Sequence, residues 1–110
     1  MSTKQETDNP TVFVPNRSTH DYTDAWDYGN LVFCTEGMLN RLDLQTMYHD
    51  LLPTVGESEP DDIILLSSLT SLCAVACAMF ASRWGHLNVL VYEDGEYHYR
   101  HIEFPEGGKK

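Results

Sequence analysis

Two clusters of small and hydroxyl residues beside short apolar runs are where this sequence could do chemistry. Thr35-Glu36-Gly37 ends the run LVFC at 31–34, and Ser67-Ser68-Leu69-Thr70-Ser71 follows the run IILL at 63–66. At a strand-to-helix turn, backbone amides and hydroxyls of this kind can hold a small anion. Thr35, Gly37, Ser67, Ser68, Thr70 and Ser71 are therefore the candidate ligand-binding residues, for an anionic, nucleotide-like ligand. The same residue types also start helices, and capping by itself accounts for them. Glu36 would repel an anion, and neither turn carries a Gly-rich loop or a nearby lysine.

Other chemistry has less behind it. A serine or cysteine nucleophile needs a base within hydrogen-bond reach. Five histidines are present (His20, His49, His86, His98 and His101), but no spacing ties one of them to Ser67 or Cys34. In a strand, His98 and His101 fall on opposite faces and make no metal pair. The three cysteines, Cys34, Cys73 and Cys77, are odd in number and lie in apolar runs, which reads as buried thiols and not as a disulfide framework or zinc site. Asp61-Asp62 sits in a loop, where solvation is the expectation. No catalytic residue, metal ligand set or cofactor is assigned, and the balance leans away from an enzyme.

The elements that must position the second cluster lie in PDDIILLSSLTSLCAVACAMFASRWGH. Twenty uncharged residues at 63–82 are long enough to span a bilayer, and a single-span membrane protein is one alternative. Five of the twenty are hydroxyl residues, four of them clustered, and no Lys/Arg group marks a cytoplasmic flank. A buried strand, a hydroxyl-rich turn and a buried helix over 69–84, C-capped by Gly85, account for both the length and the interruption. The helix is apolar nearly all round, so it should be buried on more than one side. Its small residues Ala74, Ala78 and Ala81 would let another helix come close, which predicts a homo-oligomer.

The same reading extends along the chain. The run at 31–34 is a buried strand, Asn40 an N-cap with Asp43 three residues on, and Leu44, Met47, Tyr48 and Leu51 a helical stripe stopped by Pro53. LNVLVY at 87–92 and a strand over 96–104 flank Asp94-Gly95, a strong hairpin turn. The predicted fold is α/β: a small β-α-β-α-β-β sandwich with a mainly parallel sheet ending in an antiparallel hairpin. Residues 28–105 form the domain and 106–110 a free tail. Residues 1–27 are a polar, aromatic and acidic arm, in which 12–14 could add an edge strand. Within that arm, Tyr22 and Trp26 either cover the core or anchor a partner. MSTKQETDNP has no apolar core, so no signal peptide is expected.

Seventeen acidic against seven basic residues give a net charge of -10. That charge repels phosphate backbones, so direct nucleic-acid binding is not expected. It leaves a basic protein surface as a partner, or serves solubility alone. YGNLVFCTEG, PDDIILLSSLTSL and LNVLVYEDGEYHYR, within 28–102, resemble segments of small accessory proteins of tailed phages. The resemblance implies an accessory protein acting in the cytoplasm of an infected bacterium, and brings no site residues with it. The expected function is protein binding and self-association, with anion binding or sequestration at the two turns as the alternative.

Overall fold

The computed structural model describes residues 9–18, 20–67 and 69–105. In chain order it holds β1 (Thr11–Arg17), a 3₁₀ helix (Thr23–Asp27), β2 (Asn30–Glu36), α1 (Leu44–Leu51), a second 3₁₀ helix (Val55–Glu57), β3 (Ile63–Leu65), α2 (Thr70–Trp84), β4 (His86–Glu93) and β5 (Glu96–Glu103). One sheet carries all five strands in the order β2-β1-β3-β4-β5. Its first four strands are mutually parallel, and β5 returns antiparallel to β4. The mixed α/β architecture with a closing hairpin is the one the sequence predicts.

The expected arm over 1–27 is interrupted by a strand, because Thr11–Arg17 lies between β2 and β3 in the sheet. Val12 and Val14 are fully buried and Phe13 nearly so, on opposite faces of the sheet. Pro15 argued against an inner strand, since proline removes a ladder donor. The register shows how it is tolerated. β3 pairs with β1 only at Val12 and Phe13, so β1 has run past that neighbour by the time it reaches Pro15.

Crossover handedness explains the layers. The chain moves from β1 to β2 in one direction, then from β2 to β3 and from β3 to β4 in the other. Right-handed connections must therefore put the first crossover on the opposite face from the next two. The 3₁₀ segment at 23–27 accordingly packs its Ala25 with Val12, Val14, Ile63, Leu65 and Leu90. On the other face, α1 and α2 bring Met47, Leu51, Leu72, Ala76 and Phe80 against Phe13, Ile64 and Val89. Each large side chain buried here stabilises the fold by about 1.5–3 kcal/mol.

Local signals set the element ends. Asp43, three residues beyond the expected Asn40, is the N-cap of α1, its Oδ1 accepting from Thr46 N at 3.2 Å. Asn40 instead closes a turn, accepting from Leu42 N. α2 stops at Gly85, which adopts the left-handed φ of 79° and donates its N–H to Ala81 O at 2.8 Å. Asp94 and Gly95 both have positive φ, as a tight hairpin turn needs. The single-span alternative fails, because 63–82 is divided between β3 and α2. No helix among the described residues is long and apolar enough to cross a membrane.

Asp62 is buried at 3% exposure, contrary to the solvated loop expected. One carboxylate oxygen accepts from Thr11 N at 2.9 Å and the other from Glu59 N at 2.8 Å. The carboxylate thus ties the start of β1 to the turn before β3. The sequence hides this role, since Thr11 is 51 residues away.

Candidate functional site

The strand order reverses direction between β1 and β3, which leaves their carboxyl-end loops departing toward opposite faces. Such a switch point opens a crevice where ligands bind in open α/β sheets. A cavity of about 360 Å³ lies there. Ser18, His20 and Tyr22 reach it from the end of β1, Leu65, Leu66 and Ser67 from the end of β3, and Val91, Tyr92 and Tyr97 from the hairpin.

Aromatic side chains build its wall. The His20 ring makes edge contacts with Tyr22, Tyr92 and Tyr97, at centroid distances of 5.0, 4.9 and 6.1 Å. His20 Nε2 and the Tyr97 hydroxyl are 2.9 Å apart, and the hydroxyls of Ser18 and Tyr22 are 2.8 Å apart. The Tyr28 hydroxyl donates to Tyr97 O at 3.0 Å and steadies β5 from behind. Burial, followed by neighbouring Tyr22, Tyr92, Asp21 and Asp24, pushes the Tyr97 phenol up to about 12. Two hydrogen bonds from Thr23 to its carboxylate hold Asp21 below the usual range, so negative charge stands beside the cavity.

Of the residues expected at a ligand, the five described ones, Thr35, Gly37, Ser67, Thr70 and Ser71, are not gathered at one cavity. Only Ser67 lines the cavity. Thr35 Oγ1 is 2.8 Å from Pro15 O and 2.7 Å from Asn16 Oδ1, and Asn16 Nδ2 donates to Gly37 O, so the first turn is tied to the end of β1. Thr70 is exposed and Ser71 half-buried in the first turn of α2. The N-cap of α2 is Leu69, whose side chain makes no cap bond. Ser68 lies outside the described residues. Ser67 N donates to Cys73 Sγ at 3.2 Å, which fastens the turn to α2. His20, Tyr92 and Tyr97 were not foreseen; strand pairing brings together residues 77 positions apart, and no local pattern signals that.

A second feature lies on the outer face of the helix layer. Leu44, Tyr48 and Leu52 on the α1 side, with Val75, Ala78 and Met79 of α2, line a groove of about 750 Å³. Among the described residues the groove lining holds no carboxylate, and Arg83 is the charged residue in it. Ala78 is exposed in this lining and Ala74 is exposed one turn earlier, whereas Ala81 is half-buried outside it. Of the two aromatics that could either cover the core or anchor a partner, Tyr22 is 9% exposed and packs with the core, while Trp26 is 55% exposed.

Two further groups of chemically able residues have structural partners. Burial pushes the Cys34 and Cys77 thiols up to about 11, which keeps them protonated and weakly nucleophilic at neutral pH. Asn88 Nδ2 donates to Pro60 O and Asp62 O, which leaves its Oδ1 to face the Tyr99 hydroxyl at 3.1 Å and His101 Nδ1 at 2.6 Å. His101 Nε2 is 2.7 Å from Glu103 Oε2.

The model of one family, described as Phage Pam3 gp32-like protein, matches residues 10–106. The chain belongs to that family. The match bears out the resemblance to phage proteins and extends it upstream of residue 28. The Pam3 gp32-like match takes in all five strands, β1 included, along with the cavity and the groove. No curated protein and no solved structure matches the chain.

Proposed function

We propose that this phage-family protein works by binding and not by catalysis, as an accessory protein of the infected cell's cytoplasm that self-associates through the α1–α2 face. The observation that carries the reading is the groove, an apolar channel without carboxylates on a chain of net charge -10. Single exposed apolar residues are ordinary, but a contiguous apolar surface marks an interaction site. A basic partner would seek carboxylates, and this lining has none. A second copy fits better, because it brings the same largely apolar lining, in which Arg83 is charged but no described carboxylate stands opposite. Nothing between Asp62 and Arg83 is charged, so two acidic chains can meet along α2 without opposing carboxylates. Exposed Ala74 and Ala78 allow the backbones to approach closely.

Ala78→Glu tests the assignment, since the residue is exposed and its replacement leaves the core untouched. The wild-type chain should show a concentration-dependent solution mass above one chain. The variant should need at least about tenfold more protein to associate, because an unpaired carboxylate buried at the contact costs several kcal/mol. Unchanged association of a folded Ala78→Glu chain would remove α2 from the interface.

A further inference from the structure

We propose that the cavity at the carboxyl ends of β1, β3 and β4 binds an uncharged, planar nitrogen heterocycle, a nucleobase or nucleoside. Its place comes first: it lies at the switch point, bounded by loops that leave the sheet on opposite faces. At about 360 Å³ it is at the small end of ligand sites, which suits a single base or nucleoside.

The walls select for a flat, nitrogen-bearing ring. Tyr92 and Tyr97 stand edge-to-face at 5.0 Å, and His20 lies 4.9 Å from Tyr92. His20 itself shows what these walls accept, an imidazole among three tyrosine rings with a ring nitrogen 2.9 Å from a phenol. Stacking on tyrosine works for any base, since every base has a π-face. Ser67 and Tyr92, both lining residues, carry hydroxyls that add hydrogen-bonding capacity to the site. Because the Tyr97 phenol is neutral, it can donate to a ring nitrogen or accept from an exocyclic amine.

Charge decides against the phosphorylated form. Among the described residues no Lys or Arg lines the cavity, and Asp21 and Asp24 stand close enough to bear on Tyr97. A phosphate there would meet carboxylates and no fixed cation. This replaces the anionic ligand suggested by the hydroxyl turns with a neutral one. The site is distinct from the α1–α2 groove and shares no lining residue with it.

The test is calorimetric and saturation-transfer NMR titration of the intact chain with adenosine, cytidine, thymidine and their 5′-monophosphates. At least one nucleoside should bind saturably, and its monophosphate at least about fivefold more weakly, since the added charge goes unanswered in this acidic setting. Tyr92→Ala, which removes a half-exposed wall, should weaken binding about tenfold or more with the fold intact. Ser67→Leu, which fills the floor, should do the same, while Ala78→Glu should leave affinity unchanged. The proposal is overturned if no nucleoside binds the folded chain at millimolar concentration. It is equally overturned if the monophosphate binds as tightly as its nucleoside, or if Tyr92→Ala binds like wild type.

Discussion

Tyr97 is where the strain between a buried wall and a titrating group can be read directly. Its phenol is raised from 10 to about 12, chiefly by burial. A raised acid is held in its neutral form by the fold, so the stabilisation is complete below pH 10. It is lost as pH climbs from 10 through about 12, because the unfolded phenol ionises first. Urea midpoints should fall across that window for the wild type, and fall less steeply for Tyr97→Phe, which keeps the ring but cannot ionise. Equal slopes for the two proteins would mean that the phenol ionises alike in the folded and unfolded chains. Ser67 was visible in the sequence as a hydroxyl at a strand end. Its neighbours in the cavity were not, since Tyr92 and Tyr97 read there as ordinary residues of an edge hairpin.

Among the elements, β1 and the start of β2 depend on one close approach. Asn30 N donates to Pro10 O at 2.9 Å, and a Cβ on Gly29 would sit 2.3 Å from that same oxygen. The oxygen belongs to the backbone and a Cβ is fixed rigidly to its own, so neither can rotate away. Gly29→Ala should therefore destabilise the fold by about 1–3 kcal/mol, seen as a lower urea midpoint with the slope unchanged. A variant as stable as wild type would mean that β1 is free to shift. This junction also shows why β1 was hard to read. Two prolines and a polar lead-in mask a four-residue buried run, and only the tertiary pairing reveals it. The stretches at 31–34, 63–66, 69–84, 87–92 and 96–104 were legible because apolar runs, Gly85 and Asp94-Gly95 each carry a local physical signal. Tyr22 was ambiguous for the opposite reason, as an aromatic beside acids suits either a core edge or an interface. The handedness of the crossovers decided it by placing the 3₁₀ segment against the sheet's second face.

At the scale of the whole molecule, charge and apolarity are separated. The chain carries -10 overall, yet the stretch from residue 63 to residue 82 has no charge. The proposed seam for a second copy therefore lies on the α2 surface, and the acidic remainder would discourage phosphates at the proposed ligand cavity. Repulsion between two such chains is long-range and screened by salt, whereas the apolar contact is not. Self-association through the groove should thus strengthen as ionic strength rises. Sedimentation velocity of the intact chain, over a wide concentration range at low and at moderate salt, tests this most directly. The account predicts a shift toward twice the chain mass with concentration, at lower concentration when salt is added. A single-chain mass under every condition would contradict it.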